Sequence, residues 1–306
     1  MMNPMSRPED AGARSAFAGA LVPLTAATYG EILRRPLYSI LLLAFAVAVF
    51  LSRFLTLFSF HQEVHMVREM GIATLTFWTF LVIVVTSGTV VTQELEDRTA
   101  VTLLSKPVRR ADFLLGKFFG IWLSLLPGTL VLAATLLLTL WTMSLPHLPL
   151  GDADLARAAS SGRSPFGAAW AATWESFLRP QGAVVLQGTM LAIFQAAILA
   201  ALAVSFAAFF PAVVSAAAVT LAFILGNVSS YMLASVENLG VAPLTASGRA
   251  LAYVTPNFGY FNLQAAFSEG RIVSVRYVGL SLAYAVLFVS AVFLVSCSLF
   301  RQREVR

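Results

Sequence analysis

The sequence predicts an all-α, polytopic membrane protein with about six transmembrane helices. Of its 306 residues, 58% are hydrophobic and only 11% are charged, whereas soluble domains carry roughly 25% charged residues. The mean hydropathy of +0.82 points the same way. Six separate apolar runs each approach the roughly 20 residues that a helix needs to cross the hydrocarbon core. Because these runs are continuous rather than alternating, they indicate helices and not the strands of a barrel.

The six predicted spans form one helical bundle, the transmembrane domain 37–300. They cover residues 37–58, 72–91, 118–141, 184–209, 212–232 and 278–300. Pro211 predicts a tight turn between the fourth and fifth spans. Arg53 stands near the far end of the first span, from which its long side chain can reach the interface.

Basic residues predict the orientation of the bundle. Twelve of the twenty lysines and arginines fall on the side of the bundle that holds both termini, including the basic tail 301–306. By the positive-inside rule, the N- and C-termini are therefore cytoplasmic, and we expect a multi-pass protein of the cell inner membrane. Clustering at span ends explains the net charge of +5 without a nucleic-acid partner.

Residues 1–36 are predicted to form a cytoplasmic lead-in with an amphipathic interfacial helix. Apolar side chains recur at helical spacing, and polar ones occupy another side. The apolar set is Val22, Ala26, Tyr29 and Leu33, and the polar set is Thr28, Glu31 and Arg35. A plain solvated lead-in is the alternative.

Two outer loops, 142–183 and 233–277, separate the later spans. The second carries few charges, and its apolar pieces 250–254 and 258–267 are too short to span. We expect these pieces to lie in the outer interface or to dip into it. A segment that dips into the membrane needs protein around it, because its backbone polar groups have no water there.

The inner loop 93–117 has the highest density of polar residues in the chain. Glu94 and Arg98 are spaced i and i+4, which supports a helix. Pro107 ends that helix, because it disfavours helical geometry at the residue before it. A basic turn follows at Arg109 and Arg110, and a second helix begins near residue 111 or 112. The loop predicts a short helix beneath the bilayer, or else an ordinary connection whose charges only set topology.

The chain resembles the permease subunits of ABC transporters of the ABC-2 type, most specifically in the order of residues along this loop. Those permeases combine an acidic pair, Arg-Thr, Leu-Leu-Ser-x-Pro, Arg and Phe-Leu-x-Gly-Lys between their second and third spans. The matching positions are Glu94, Glu96, Arg98, Thr99, Leu103, Leu104, Ser105, Pro107, Arg110, Phe113, Leu114, Gly116 and Lys117. More loosely, the lead-in, the six spans, the segment 256–258 and the basic tail resemble the same family.

The resemblance implies an ATP-driven exporter whose path forms between two permease copies, as a homo- or heterodimer. It implies that the loop docks into a separate nucleotide-binding ATPase subunit, which holds ATP and Mg²⁺, so this chain needs no cofactor. The implied coupling residues are Glu94, Glu96, Arg98, Thr99, Leu104, Ser105, Lys106, Pro107 and Arg110. Gly116 and Lys117 would mark the membrane entry of the third span, with Lys117 reaching the headgroups.

Catalytic motifs are not found in the sequence, so we expect no enzyme. The Gly116-Lys117 pair lacks the upstream glycine and the following Ser or Thr of a phosphate-binding loop. His61 and His65, expected in an outer loop, lack the glutamate placement of a zinc protease. The single cysteine, Cys297, excludes an internal disulfide.

Charged residues are missing from the cores of predicted spans two to five, which argues against an ion-coupled transporter. The sequence therefore predicts a permease subunit. A non-transporting scaffold or assembly factor is the first alternative, and a membrane-embedded enzyme is the second.

Overall fold

The computed structural model describes residues 9–55, 63–88, 110–144, 164, 179–239, 255–262 and 273–303. These residues form seven α-helices and a single 3-10 turn, Phe258–Tyr260. The helices are α1 Glu9–Arg34, α2 Pro36–Leu55, α3 Glu63–Thr86, α4 Arg110–Ser144, α5 Arg179–Ala207, α6 Ala212–Leu239 and α7 Val275–Arg303.

Six of these helices, α2 to α7, are long and apolar enough to cross a membrane. The predicted all-α fold is therefore confirmed, and the chain is a multi-pass membrane protein. We call the near side the side of the bundle where α2 and α4 begin and α3 ends. The far side is the opposite one. The turn at Pro211 joins α5 to α6 on the near side, where the Ser215 N–H donates to the Pro211 carbonyl at 2.9 Å.

The helices extend beyond the apolar runs that predicted them. α3 begins at Glu63 rather than at residue 72, and α4 begins at Arg110 rather than at residue 118. Hydropathy locates the stretch that lies in hydrocarbon, whereas backbone hydrogen bonding continues through charged turns at the interface. The predicted start of the second span was therefore wrong by more than two turns.

α5 is the central helix of the bundle. It packs against α3, α4, α6 and α7, and 67% of its most apolar stretch is buried, against 17% for α2 and for α7. Small residues such as Ala196, Ala200 and Ala203, all fully buried, let neighbouring helices approach its backbone. The exposed apolar side chains of α2, α6 and α7 therefore face the surroundings of the bundle.

α1 packs along α4 through a side that includes Thr28 of the predicted polar set. Thr28 and Ile32 are buried, whereas Val22 is 68% exposed. Val22 of the predicted apolar set therefore lies outside this contact, and its placement on the membrane surface stays a prediction. Spacing alone does not reveal the shape of the partner surface, which here is a pair of glycines on α4. Glu31 and Arg35 do share a side, and they form an ion pair.

Candidate functional site

The near side of the bundle brings together the helices on either side of the predicted coupling loop. The coupling residues Glu94, Glu96, Arg98, Thr99, Leu104, Ser105, Lys106 and Pro107 lie outside the described residues. Arg110 is the first residue of α4, and Gly116 and Lys117 follow in its next turns. The structure thus describes the two helical ends from which this connection emerges.

The end of α3 is held against the start of α6. Its last turn widens into a π-helical turn at Ser87 and Gly88, a feature that often marks functional sites. The Thr86 and Ser87 hydroxyls donate to carbonyls of the preceding turn. A Cβ added at Gly88 would lie 3.7 Å from the Cβ of Ala212. The end of α3 therefore lies in ordinary van der Waals contact with the first residue of α6.

α1 packs onto two glycines of α4, Gly116 and Gly120, which we call the glycine seat of α1. A Cβ atom at Gly116 would lie 2.6 Å from Leu24 Cδ2, and one at Gly120 would lie 2.5 Å from Thr28 Cβ. The Thr25 hydroxyl donates to the Gly116 carbonyl at 3.4 Å. Glycines four residues apart expose the helix backbone, which permits this approach. The lead-in helix and the first turns of α4 therefore form one packed pair.

Lys117 points into the protein rather than toward the headgroups. Its side chain is 1% exposed, and Nζ lies 5.9 Å from the centre of the Phe113 ring, within cation–π range. The expectation that it reaches the headgroups was wrong. Hydropathy placed it at the start of the apolar run, but α4 begins earlier and α1 packs along these first turns.

Deeper in the bundle, Tyr38 joins α2 to the middle of α4. Its hydroxyl donates to the Ser124 carbonyl at 2.9 Å. Pro127 lies in the next turn of α4 and lacks an N–H, so the Leu123 carbonyl has no helical donor from that position. The Tyr38 hydroxyl therefore reaches the α4 backbone one residue away from the carbonyl that Pro127 leaves without its donor.

Trp78 of α3 completes this contact. Its ring stands edge-on to Tyr38 with the centroids 5.6 Å apart, it is fully buried, and it rests on Gly128. α2, α3 and α4 thus meet at the proline of α4.

On the far side, the segment 255–262 enters the bundle. Phe258 is fully buried, and a Cβ at Gly226 would lie 2.5 Å from its ring and 2.7 Å from the Pro256 carbonyl oxygen. Gly226 belongs to the apolar stretch of α6 that runs from 212 to 229. The described part of the predicted 258–267 piece therefore packs against the apolar stretch of α6, and its depth in the membrane stays a prediction.

Protein groups satisfy the backbone of this segment. The Asn257 N–H donates to the Tyr284 hydroxyl at 3.0 Å, and the Gly259 N–H donates to Asn257 Oδ1 at 2.9 Å. The Tyr277 hydroxyl donates to the Tyr260 carbonyl at 2.9 Å. These bonds give backbone groups of an irregular segment partners within the protein.

Charged residues of α3 were missed by the sequence reasoning. The apolar stretch Val64–Thr86 includes Arg68, which is 1% exposed. His65, expected in an outer loop, lies on the same helix and is half-buried, so that expectation was wrong; His61 lies outside the described residues. Buried Val67 and Gly71 lie four residues apart upstream of residue 72, and the same spacing continues to Leu75; that spacing was the available signal.

The chain matches no protein-family model and no curated protein. Within the part of the chain that the structure describes, no group of three or more His, Cys, Asp or Glu could hold a metal ion. The resemblance of residues 94–117 to ABC-2 permeases therefore stays a prediction from the sequence.

Proposed function

We propose that this chain is the membrane-spanning permease subunit of an ATP-driven exporter of the ABC-2 type, located in the cell inner membrane. It works as a dimer with a second permease copy and binds a separate nucleotide-binding ATPase subunit through the loop 93–117. ATP and Mg²⁺ belong to that partner. The nine coupling residues from Glu94 to Arg110 provide the docking surface.

One observation supports this proposal most strongly. The loop emerges from two helix ends, and each of them packs against a further helix. On one side of the loop, Gly88 brings the end of α3 against the start of α6. On the other, Gly116 and Gly120 carry α1 on the first turns of α4. A displacement of the loop therefore moves α3 with α6 and α4 with α1, which suits a rigid-body shift of helices.

The proposal is tested by isolating the full chain from its native membranes in mild detergent and identifying the copurifying proteins by mass spectrometry. A Walker-motif ATPase should copurify with the wild-type chain. Glu94→Lys and Arg98→Glu should reduce its recovery at least tenfold, because disrupting a charged pair within an interface costs roughly 2–5 kcal/mol. Arg303→Glu is the matched control for Arg98→Glu, since it makes the same change of charge in the basic tail.

Unchanged recovery with both loop variants would refute the coupling assignment. Recovery of no ATPase with the wild-type chain, in several detergents, would refute the permease proposal and favour the scaffold. Each variant should show the wild-type thermal unfolding midpoint, so that a loss of partner is not a loss of fold.

A further inference from the structure

The connection between α5 and α6 on the near side, residues 208–214, which we call the near-side tip, carries no charge. No Asp, Glu, Lys, Arg or His occurs in the sequence between Arg179 and Glu237. Other described helix ends on the near side differ, since α1 ends at Arg34, α4 begins at Arg110 and α7 ends at Arg303. Basic residues anchor helix ends at the water side of a membrane, and the near-side tip has no such anchor.

The exposed side chains of the near-side tip are large and apolar. Phe210 is 46% exposed, Val213 is 81% exposed and Val214 is 48% exposed. Two helical turns above Val214 on the same side of α6 stand Leu221 and Ile224, which are 56% and 52% exposed. The stretch of α6 from 212 to 229 is apolar enough to cross a membrane. The apolar surface of the tip is therefore continuous with the face that α6 turns outward along its membrane span.

The backbone of the tip is largely satisfied by the tip itself. The N–H groups of Phe209 and Phe210 both donate to the Phe206 carbonyl, at 3.0 and 2.9 Å. Pro211 has no N–H, and its carbonyl accepts from the Ser215 N–H at 2.9 Å. The first N–H groups of α6 lack intrahelical acceptors, as at every helix start. Since hydrocarbon excludes such groups, the tip belongs at the edge of the hydrocarbon and not at its centre.

Helix length limits how far the tip reaches. At 1.5 Å per residue, α6 rises about 38 Å from Ala212 to Glu237. Charged residues avoid the hydrocarbon, so Glu237 belongs at its far boundary or beyond. A hydrocarbon core of roughly 30 Å then leaves about 8 Å for the near end of α6, close to the roughly 5–8 Å of one headgroup layer. Any tilt of α6 shortens this reach, so the tip does not extend into the water.

The composition of the tip fits lipid better than a protein partner. A protein interface surrounds its apolar centre with a polar rim. The tip consists of alanine, phenylalanine, proline and valine alone, so it offers no side chain for such a rim. Acyl chains need no polar partner.

We propose that the near-side tip is inserted into the near leaflet at the boundary of hydrocarbon and headgroups, with Phe210, Val213 and Val214 packed against lipid acyl chains. A protein that binds the near side of the bundle then contacts other segments and not this turn. The inference does not rest on the proposed function, because the depth of the tip is measured on the full chain without any partner.

The test is the accessibility of single spin labels on the full chain in phosphatidylcholine nanodiscs. Cys297, the single cysteine, is first replaced by serine, and Val213→Cys is then labelled with a nitroxide. Collision rates are measured with oxygen, which enters hydrocarbon, and with a water-soluble nickel complex. Leu221→Cys on the outward face of α6 is the matched reference for lipid, and Arg303→Cys at the charged end of α7 is the reference for water.

The ratio of oxygen to nickel collisions should be at least about threefold higher at 213 than at 303, because the polar nickel complex is excluded from apolar surroundings. It should be highest at 221, which lies deeper. Phe210→Cys gives a second readout, since a water-soluble maleimide should modify it at least about tenfold more slowly than Arg303→Cys. Equal rates after unfolding in dodecyl sulfate exclude an effect of local sequence. Each variant should keep the thermal unfolding midpoint of the Cys297→Ser chain.

Two results overturn the proposal. A collision ratio at 213 equal to that at 303, with rapid modification at 210, places the tip in water. Low collision rates at 213 with both oxygen and the nickel complex show a tip covered by protein, such as a second copy of this chain.

Discussion

Replacement of Gly120 by alanine tests how closely α1 packs on α4. The added Cβ would lie 2.5 Å from Thr28 Cβ and 3.2 Å from the Thr25 carbonyl oxygen. Ordinary contact begins near 3.4 Å, so α1 must move by about 0.9 Å, the difference between 3.4 and 2.5 Å. The obstructing atoms belong to the helix itself and not to the end of a flexible side chain. Overpacking of this kind costs roughly 1–3 kcal/mol.

Alanine also favours a helix over glycine by about 0.8–1 kcal/mol, which lowers the net loss. Gly30→Ala and Gly279→Ala isolate that gain, because nothing lies within 4 Å of a Cβ at either position. Thermal unfolding midpoints in one detergent should rise for these two variants and fall for Gly120→Ala. The direct comparison of Gly120→Ala with Gly30→Ala thus removes the intrinsic helix preference from the result.

The double variant Gly120→Ala, Thr28→Gly gives a second check, because it removes the atoms that the new Cβ would meet. Its loss of stability should be smaller than the sum of the two single losses, as expected for residues in contact. The close packing of α1 on α4 would be refuted if Gly120→Ala stabilised the chain as much as Gly30→Ala does.

Four further substitutions probe three contacts. Tyr38→Phe keeps the ring but removes the hydroxyl that donates to the Ser124 carbonyl, and should cost about 1 kcal/mol in unfolding free energy. Ser205→Ala and Ser296→Ala each break the buried 2.9 Å hydrogen bond between α5 and α7; a double-mutant cycle should give a coupling of about 0.6 kcal/mol. Gln187→Leu removes both side-chain bonds to the Val273 backbone, at 2.8 and 2.9 Å, and should speed hydrogen exchange of the Val273 N–H.

Each of these three predictions has a result that would contradict it. For Tyr38→Phe that result is wild-type stability, and for the serine pair it is additive losses. For Gln187→Leu it is unchanged hydrogen exchange of the Val273 N–H. Gln195→Leu is the control, because it leaves the two hydrogen bonds between Gln187 and the Val273 backbone intact.

The spans were predictable because the transfer of apolar side chains into lipid depends on composition, which the sequence states directly. The turn at Pro211 was predictable for a similarly local reason, the missing N–H of proline. Burial inside the bundle was not predictable in this way. Arg68 and Lys117 are charged yet 1% exposed, since their surroundings come from other helices. The packed face of α1 likewise depends on glycines of α4.

The candidate site was predicted less completely than the fold. The coupling residues from Glu94 to Pro107 lie outside the described residues, so their role stays a prediction. A cavity of about 220 Å³ between α3, α5, α6 and the segment 255–262 could not be predicted either, because its lining residues come from four separate segments of the chain.

The seat of α1 has a consequence for biogenesis. Thr25 and Gly116 are 91 residues apart, so a ribosome adding 5–20 residues per second needs roughly 5–18 s to supply the second after the first. During that interval α1 exists without its glycine seat, and its exposed Val22 face can rest on the membrane surface. Docking of α1 therefore follows insertion of α4. Substitutions that close the seat should show first as slow maturation of newly made chains, before any defect in the finished protein.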